Sequence, residues 1–174
     1  EIARSLSVSH KTAQGYLDIL TGAFMVRHLQ PWVENLTKRV RKAPKIYLRD
    51  SGMFHTLMNL RTVPELQAHP KLGASWEGLA LEQVLRTLKV TSDEAFSWVT
   101  HAGADLDLLV LRGGKRFGFE FKFGDAPRTT KSMRAALRDQ QLTRLFVIFP
   151  CDNYSALDRK IEGIQDSVTS KTRR

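Results

Sequence analysis

The segment from residue 103 to 123, GADLDLLVLRGGKRFGFEFKF, constrains the fold more than any other part of this sequence. It consists of two apolar runs on either side of Gly113-Gly114. Two glycines favour a tight two-residue turn, because the turns that suit hairpins require positive φ. With this turn, residues equally distant from it along the two strands become partners. The sequence therefore predicts a β-hairpin in which Asp107 faces Glu120.

Alternation along the two strands separates the charged side chains of this hairpin from the aromatic ones. The predicted pairs of the apolar face are Leu106 with Phe121, Leu108 with Phe119, and Val110 with Phe117. The opposite face carries the pair Asp107 and Glu120, and beside it Asp105 opposite Lys122. The strands are therefore predicted to gather three carboxylates and one ammonium group on one face.

Two carboxylates opposed on a sheet repel each other, so the Asp107–Glu120 pair needs compensation. One of them should take up a proton unless a cation is bound. Carboxylate oxygens suit Mg²⁺ or Mn²⁺, and Lys122 would project over the same site. The alternative is an edge hairpin whose outer face is solvated and carries a weak Asp105–Lys122 ion pair.

The pattern around the hairpin predicts an α+β or α/β domain. The expected elements are a helix over 75–89, strands over 96–100, 105–111 and 116–123, a helix over 128–141 and a strand over 144–149. In the predicted helix over 75–89, Glu77 lies on the midline of the apolar face, whereas Glu82 lies on the polar side. A carboxylate on an apolar face needs a partner, so Glu77 is a candidate for a metal ligand or for a contact beside one. The alternative is an acidic residue that favours the helix N-terminus.

The first part of the chain has the outline of a helix-turn-helix followed by two strands. Residues 1–20 form two short helices, and Ser9 is a suitable N-cap for the second. Strands are expected near 24–32 and at 45–48, which together with the helices predicts a winged helix. We place the domain boundary near residue 68, giving a winged-helix domain over 1–68 and a second domain over 69–174.

Basic residues suggest a polyanionic partner, since the formal net charge is +9 and the pI is about 10.0. The candidates for nucleic-acid contact are His10, Lys11 and Gln14 in the second helix, Lys38, Arg39, Arg41, Lys42 and Lys45 before the second strand, and Arg128, Lys131, Arg134 and Arg138 near the later helix. The alternatives are solvated surfaces, or a face that docks on an acidic protein. The single cysteine excludes an internal disulfide and, with no membrane-length apolar run or signal peptide, predicts a cytoplasmic protein.

The charged positions resemble the PD-(D/E)XK nuclease superfamily over roughly residues 72–150. The resemblance is carried by Asp107 in GADLDLLV, by Glu120 and Lys122 in FGFEFKF, and by Glu77 in GASWEGLALEQV. It implies an αβββαβ restriction-endonuclease-like core. The Pro-Asp that usually opens this motif is Leu106-Asp107 here, a departure that keeps the acidic residue.

The whole chain is similar to the C-terminal region of a prokaryotic family of AAA+-type ATPases. The similar segments are SVSHKTAQGYLDIL, RKAPKIYLRDSGM, WEGLALEQV and the hairpin. In that family a nucleotide-binding domain precedes a winged helix and a nuclease-like domain of unknown function. No G-x-x-x-x-G-K-[ST] occurs in this sequence, so ATP would bind only through an N-terminal domain outside it. We therefore expect a fragment of a longer protein, with its own ATPase domain and DNA as partners, and oligomerisation is an open alternative.

The resemblance implies a metal-dependent deoxyribonuclease. Asp107, Glu120 and the carbonyl of Phe121 would hold Mg²⁺ or Mn²⁺, Lys122 would position a water and offset negative charge, and Glu77 would complete the coordination. Two alternatives stay open. One is a catalytically inactive DNA-binding module, and the other is a protein-interaction or regulatory region of the ATPase.

Overall fold

A computed structural model describes residues 2–33, 43–100, 102–124 and 128–150, together with strands at 155–158 and 161–165. The helices in this part of the chain are α1 (Ile2–Ser5), α2 (His10–Gly22), α3 (Ser51–Leu57), α4 (Val63–Ala68), α5 (Leu72–Thr87) and α6 (Lys131–Asp139). The strands are β1 (Val26–Leu29), β2 (Lys45–Leu48), β3 (Ala95–Val99), β4 (Asp105–Arg112), β5 (Lys115–Phe121), β6 (Arg144–Phe149), β7 (Ser155–Asp158) and β8 (Ile161–Gln165).

The N-terminal part contains two helices followed by a two-stranded sheet, as the sequence predicts. The Ser9 hydroxyl caps α2 by accepting the N–H of Thr12 at 3.0 Å. Strands β1 and β2 pair antiparallel, with Val26 opposite Leu48. Little of this part is deeply buried, since α1 and α3 bury none of their residues and α2 buries only Ala13.

A six-stranded mixed sheet forms the centre of the molecule, in the order β3-β4-β5-β6-β8-β7. Strands β3, β4 and β5 are antiparallel, whereas β6 runs parallel to both β5 and β8. One apolar cluster joins α5 to one face of the sheet, and a second joins α6 to the other. The sheet is therefore covered on both faces, as an α+β domain requires.

The predicted hairpin register is confirmed for the five pairs from Leu108–Phe119 to Arg112–Lys115. Leu108 pairs with Phe119 and Val110 with Phe117, and the turn glycines both have positive φ. The alternation fails at one predicted position, however. The β3–β4 pairing shifts register between Phe96 and Trp98, and Leu106 packs in the α6 cluster with Trp98 instead of against Phe121. An irregularity in one strand reverses which face the following residues occupy, which a strict period of two does not anticipate.

Several other elements differ from their predicted extents. Helix α5 begins at Leu72 rather than 75, and α6 spans only Lys131–Asp139 of the predicted 128–141. Helix α4 has no counterpart among the predicted elements, and Thr62 and Glu65 form a capping box at its start. Strands β7 and β8 were not predicted.

The N-terminal sheet docks on the central one through main-chain and charged contacts. The main-chain N–H of Trp32 donates to the carbonyl of Ser97 at 2.7 Å, and the main-chain N–H of Ser97 donates to the carbonyl of Gln30 at 2.8 Å. Glu82 on α5 is 5% exposed and accepts from Arg27 and Arg49. Glu82 was predicted to lie on the polar side of this helix, yet it is buried, because that side of α5 packs against Arg27 and Arg49.

Candidate functional site

The site begins with Asp107, a buried carboxylate whose two oxygens are both engaged. It lies one residue beyond the last paired residues of β4 and β5, and it is 5% exposed. Its Oδ2 accepts the main-chain N–H of Phe121 at 3.0 Å. Its Oδ1 lies 2.6 Å from Nζ of Lys45, the first residue of β2. The carboxylate is thus held by one donor from its own hairpin and one from the N-terminal sheet.

Glu120 is the second buried carboxylate, and it is only half satisfied. It is 3% exposed, and its Oε1 lies 2.6 Å from Nζ of Lys122. Its Oε2 has no hydrogen-bond partner among the described residues. Burial, and next the charge of Asp107, raise the pKa of Glu120 to about 7. A carboxylate with one unpartnered oxygen in a buried site is a ready ligand for a cation.

Glu77 joins the cluster from α5, as its predicted place on the apolar face suggested. Its Oε1 accepts the Tyr47 hydroxyl at 2.7 Å. Burial raises the pKa of Glu77, and the charge of Asp107 raises it further. The pKa of Tyr47 is also raised, first by burial and then by Glu77, so its hydroxyl stays a donor. The charge of Asp107 thus acts on both Glu77 and Glu120, so the structure brings the three carboxylates together.

The Asp105–Lys122 ion pair of the alternative interpretation is replaced by two other pairs. Asp105 Oδ2 lies 3.9 Å from Nζ of Lys45, and Lys122 pairs with Glu120. Burial acts to lower the pKa of both lysines, yet the adjacent carboxylates outweigh it and the pKa values of Lys45 and Lys122 are raised. Both side chains therefore carry positive charge at neutral pH.

Sequence reasoning missed the role of β2 in this site. Lys45 was assigned to a basic cluster directed at phosphates, and Tyr47 was not singled out at all. Both side chains instead reach the carboxylates, Lys45 at Asp107 and Tyr47 at Glu77. The only sequence signal was the alternation of Lys45 and Tyr47 along one face of a strand, and such a pattern does not reveal which surface that face meets.

The predicted nucleic-acid residues are distributed over separate surfaces. His10 and Lys11 are exposed at the start of α2, and Gln14 is half-buried and donates to Asp18 at 2.8 Å. On and before α6 the exposed basic residues are Arg128, Lys131, Arg134 and Arg138, of which Arg138 pairs with its neighbour Asp139. The predicted Lys38, Arg39, Arg41 and Lys42 lie outside the described residues.

The number and charge of the acidic side chains decide whether this site could bind a divalent cation. Within the described ranges no group of three or more His, Cys, Asp or Glu side chains is arranged to hold a metal ion. Among the described residues, Glu77 is therefore not arranged to complete a coordination shell with Asp107 and Glu120. The remaining predicted ligands are the two carboxylates of Asp107 and Glu120 and the carbonyl of Phe121. The cluster also has four carboxylates, at Glu77, Asp105, Asp107 and Glu120, against two ammonium groups. When all six are ionised, a formal charge of −2 remains, and the buried oxygen of Glu120 fits a Mg²⁺ or Mn²⁺ ion.

Comparison with known proteins places this chain in a family whose function is not described. Residues 72–165 match the model of a domain of unknown function, DUF4143, and the chain belongs to this family. Residues 1–63 match a second domain of unknown function, DUF8612. The expectation that the second part is a domain of unknown function is therefore confirmed.

Two curated mycobacterial proteins are similar to most of the chain. Uncharacterized protein Rv2008c of Mycobacterium tuberculosis and uncharacterized protein Mb2031c of Mycobacterium bovis are each 47% identical to it over 164 residues. The match covers 94% of this chain but 37% of each relative, so the chain spans little more than a third of their length. No solved structure gives a significant match. In the described part of the chain, no helix has the length and apolar character needed to cross a membrane.

Proposed function

We propose that this chain is the DNA-associated part of an ATPase and carries a metal-dependent nuclease site that hydrolyses DNA phosphodiester bonds. The observation that supports this proposal is the buried Asp107–Glu120 pair, with an oxygen of Glu120 that has no partner among the described residues. Burying two carboxylates is costly unless positive groups compensate their charge, and Lys45 and Lys122 still leave one oxygen of Glu120 without a partner among the described residues. A core-facing carboxylate on α5 and a lysine directly after β5 add to the likeness with PD-(D/E)XK nucleases.

Each side chain has a proposed role that its contacts support. Asp107, Glu120 and the carbonyl of Phe121 would hold Mg²⁺ or Mn²⁺. Such an ion polarises a phosphate and lowers the pKa of a bound water. Glu120 holds Lys122 at 2.6 Å, which places an ammonium group at the half-exposed edge of the site. There it can offset the negative charge that develops on the phosphate. Glu77, oriented by the Tyr47 hydroxyl, would bind beside the ion.

The association with DNA is supported by charge and by topology. The chain has a formal net charge of +9, and exposed basic residues lie at the start of α2 and along α6. We interpret α1, α2 and the β1–β2 sheet as a winged helix whose second helix meets the duplex. Binding of this kind should weaken steeply with salt. ATP would enter only through a nucleotide-binding domain in the longer protein.

One observation favours a second function, that of a catalytically inactive binding or regulatory module. Lys45 places its ammonium group 2.6 Å from the Asp107 oxygen that an ion would use. A permanent Lys45–Asp107 pair would neutralise the carboxylate and make the ion unnecessary. In that case the basic surfaces would serve DNA or an acidic protein, without hydrolysis.

Calorimetric titration of Mn²⁺ and Mg²⁺ distinguishes the two functions. We expect binding to the wild-type chain and none to an Asp107→Asn/Glu120→Gln double variant, because that variant removes both anionic ligands while keeping their shape. The same two proteins should then differ in Mn²⁺-dependent cleavage of duplex and branched DNA. Absence of metal binding to the wild type, with and without DNA, would rule out the nuclease and leave the binding module.

A further inference from the structure

The N-terminal sheet supplies two side chains to a site whose carboxylates all lie in the second half of the chain. Lys45 and Tyr47 are two residues apart on β2 and therefore project from the same face. Lys45 contacts Asp107 at 2.6 Å and Asp105 at 3.9 Å, and Tyr47 donates to Glu77 at 2.7 Å. One face of β2 thus contacts three of the four acidic side chains, which are Asp107, Asp105 and Glu77.

The position of this strand is set by contacts outside the site. Leu29, the partner of Lys45 in the β1–β2 pairing, is fully buried in the apolar cluster beneath α5. The main chain continuing from β1 exchanges hydrogen bonds with Ser97 on β3. Arg27 on β1 and Arg49, which directly follows β2, both bind Glu82 of α5. The ammonium group of Lys45 is therefore delivered to Asp107 by a docked element and not by a free surface lysine.

We propose that Lys45 and a divalent cation compete for Asp107, so that the N-terminal sheet controls access of metal to the nuclease site. This inference rests on the proposed metal site. It adds a positioning residue from the preceding sheet to the residues that the PD-(D/E)XK likeness supplies.

The competition follows from the occupation of the carboxylate. Phe121 holds one oxygen of Asp107, and Lys45 holds the other. An ion bound at Oδ1 would share that oxygen with an ammonium group at 2.6 Å, and two like charges on one oxygen repel. The carboxylate must release Lys45 before the ion binds. Lys45 contributes only one positive charge, so the cluster keeps a formal charge of −2 when all six of its charged groups are ionised.

Release of Lys45 from Asp107 would also affect the hydrogen bond between Tyr47 and Glu77, because Lys45 and Tyr47 project from the same face of β2. A movement of β2 large enough to free Asp107 alters the 2.7 Å hydrogen bond to Glu77 as well. Metal binding and the position of the N-terminal sheet are therefore linked, and each should influence the other to the same extent.

The test is calorimetric titration of Mn²⁺ into the whole chain, comparing wild type with Lys45→Gln. Lys115→Gln is the matched control, since it makes the same change of charge at the opposite, exposed end of β5. If the Lys45–Asp107 contact is formed about nine-tenths of the time, its removal should lower the apparent Kd for Mn²⁺ about tenfold. The control should leave the Kd unchanged within about twofold, because a distant exposed charge acts weakly.

The outcomes separate this inference from the proposed function. Tighter Mn²⁺ binding by Lys45→Gln alone supports competition. Equal or weaker binding by Lys45→Gln, with clear binding by the wild type, overturns the inference and keeps the metal site. If neither protein binds Mn²⁺, the metal site and the inference both fail.

A second measurement covers the case in which Lys45→Gln does not fold. The acylation rate of Lys45 in the wild-type chain is compared with that of Lys115 by peptide mass analysis, with and without saturating Mg²⁺. Displacement from Asp107 predicts that Mg²⁺ accelerates acylation of Lys45 and not of Lys115. An unchanged ratio at saturation contradicts the competition.

Discussion

The N-terminal helices and sheet differ from the central mixed sheet in how they are stabilised. The central sheet buries apolar side chains on both faces, including Leu106, Met133 and Leu145, which are completely shielded from solvent. The N-terminal part leaves large apolar side chains such as Phe24 and Leu57 exposed. It attaches through main-chain hydrogen bonds, the Glu82 ion pairs and the buried Leu29. The more deeply buried region and the more exposed region are thus distinct, and the carboxylate site lies where they meet, because Lys45 and Tyr47 of β2 contact its acidic side chains.

The largest effect should come from a cavity in the central sheet. Leu145→Ala removes a side chain that has no exposure, and we expect it to lower the free energy of unfolding by about 3 kcal/mol. Leu57→Ala is the matched control, because the same change at a residue 70% exposed should cost less than about 0.5 kcal/mol. Urea denaturation measures both. Equal losses would show that the two regions are stabilised alike.

An intermediate effect is expected where the regions are joined. Glu82→Gln leaves Arg27 and Arg49 without their carboxylate, at a cost of about 2 kcal/mol, since the site is buried on one side and partly exposed on the other. Hydrogen exchange should increase first in β1 and β2 and much less in β4 and β5. The exposed Arg138–Asp139 pair supplies the control, because Asp139→Asn should change little. A uniform increase across both sheets would contradict separate stabilisation.

The smallest effect concerns pH and the carboxylate site. The pKa of Glu120 is raised to about 7 in the folded protein, so between pH 5 and 7 the folded state binds more protons than the unfolded state. Stability contributed by this group is therefore present at low pH and is lost as the pH rises through this range. We expect a loss of about 1.5 kcal/mol after allowing for some solvent screening. Glu120→Gln should remove this slope, which urea titrations in the presence of a chelator can measure. Parallel pH profiles of the wild type and Glu120→Gln would show that burial does not raise the pKa of Glu120.

Much of the candidate site could be predicted because its signal lies within single elements. The alternation of β4 and β5 and the Gly113-Gly114 turn are local. They set the register of the five pairs that end at Leu108 and Phe119, and Asp107 and Glu120 directly follow these two residues toward the site. The position of Glu77 on the apolar face of α5 is also a local property, set by 3.6-residue periodicity. These features follow from backbone geometry, which acts between residues close in sequence.

Other features depended on contacts between distant segments. Leu106 changes face because β3 and β4 pair with a shifted register, and Glu82 is buried because two arginines more than 30 residues away in the chain meet it. No periodicity within α5 distinguishes such a glutamate from a solvated one. Side chains that look alike in the sequence are separated only by the surface that folding brings against them.

By itself, the sequence determined the helices and strands around the hairpin, the turn between β4 and β5, and the carboxylate composition of the candidate site. The tertiary structure alone decided that β2 delivers Lys45 to Asp107 and Tyr47 to Glu77. The physical reason is that periodic patterns report the conformation of one element, whereas a charge at 2.6 Å depends on how two elements dock. Lys45 was therefore recognisable in the sequence as a basic residue, but only the fold shows that its partner is Asp107.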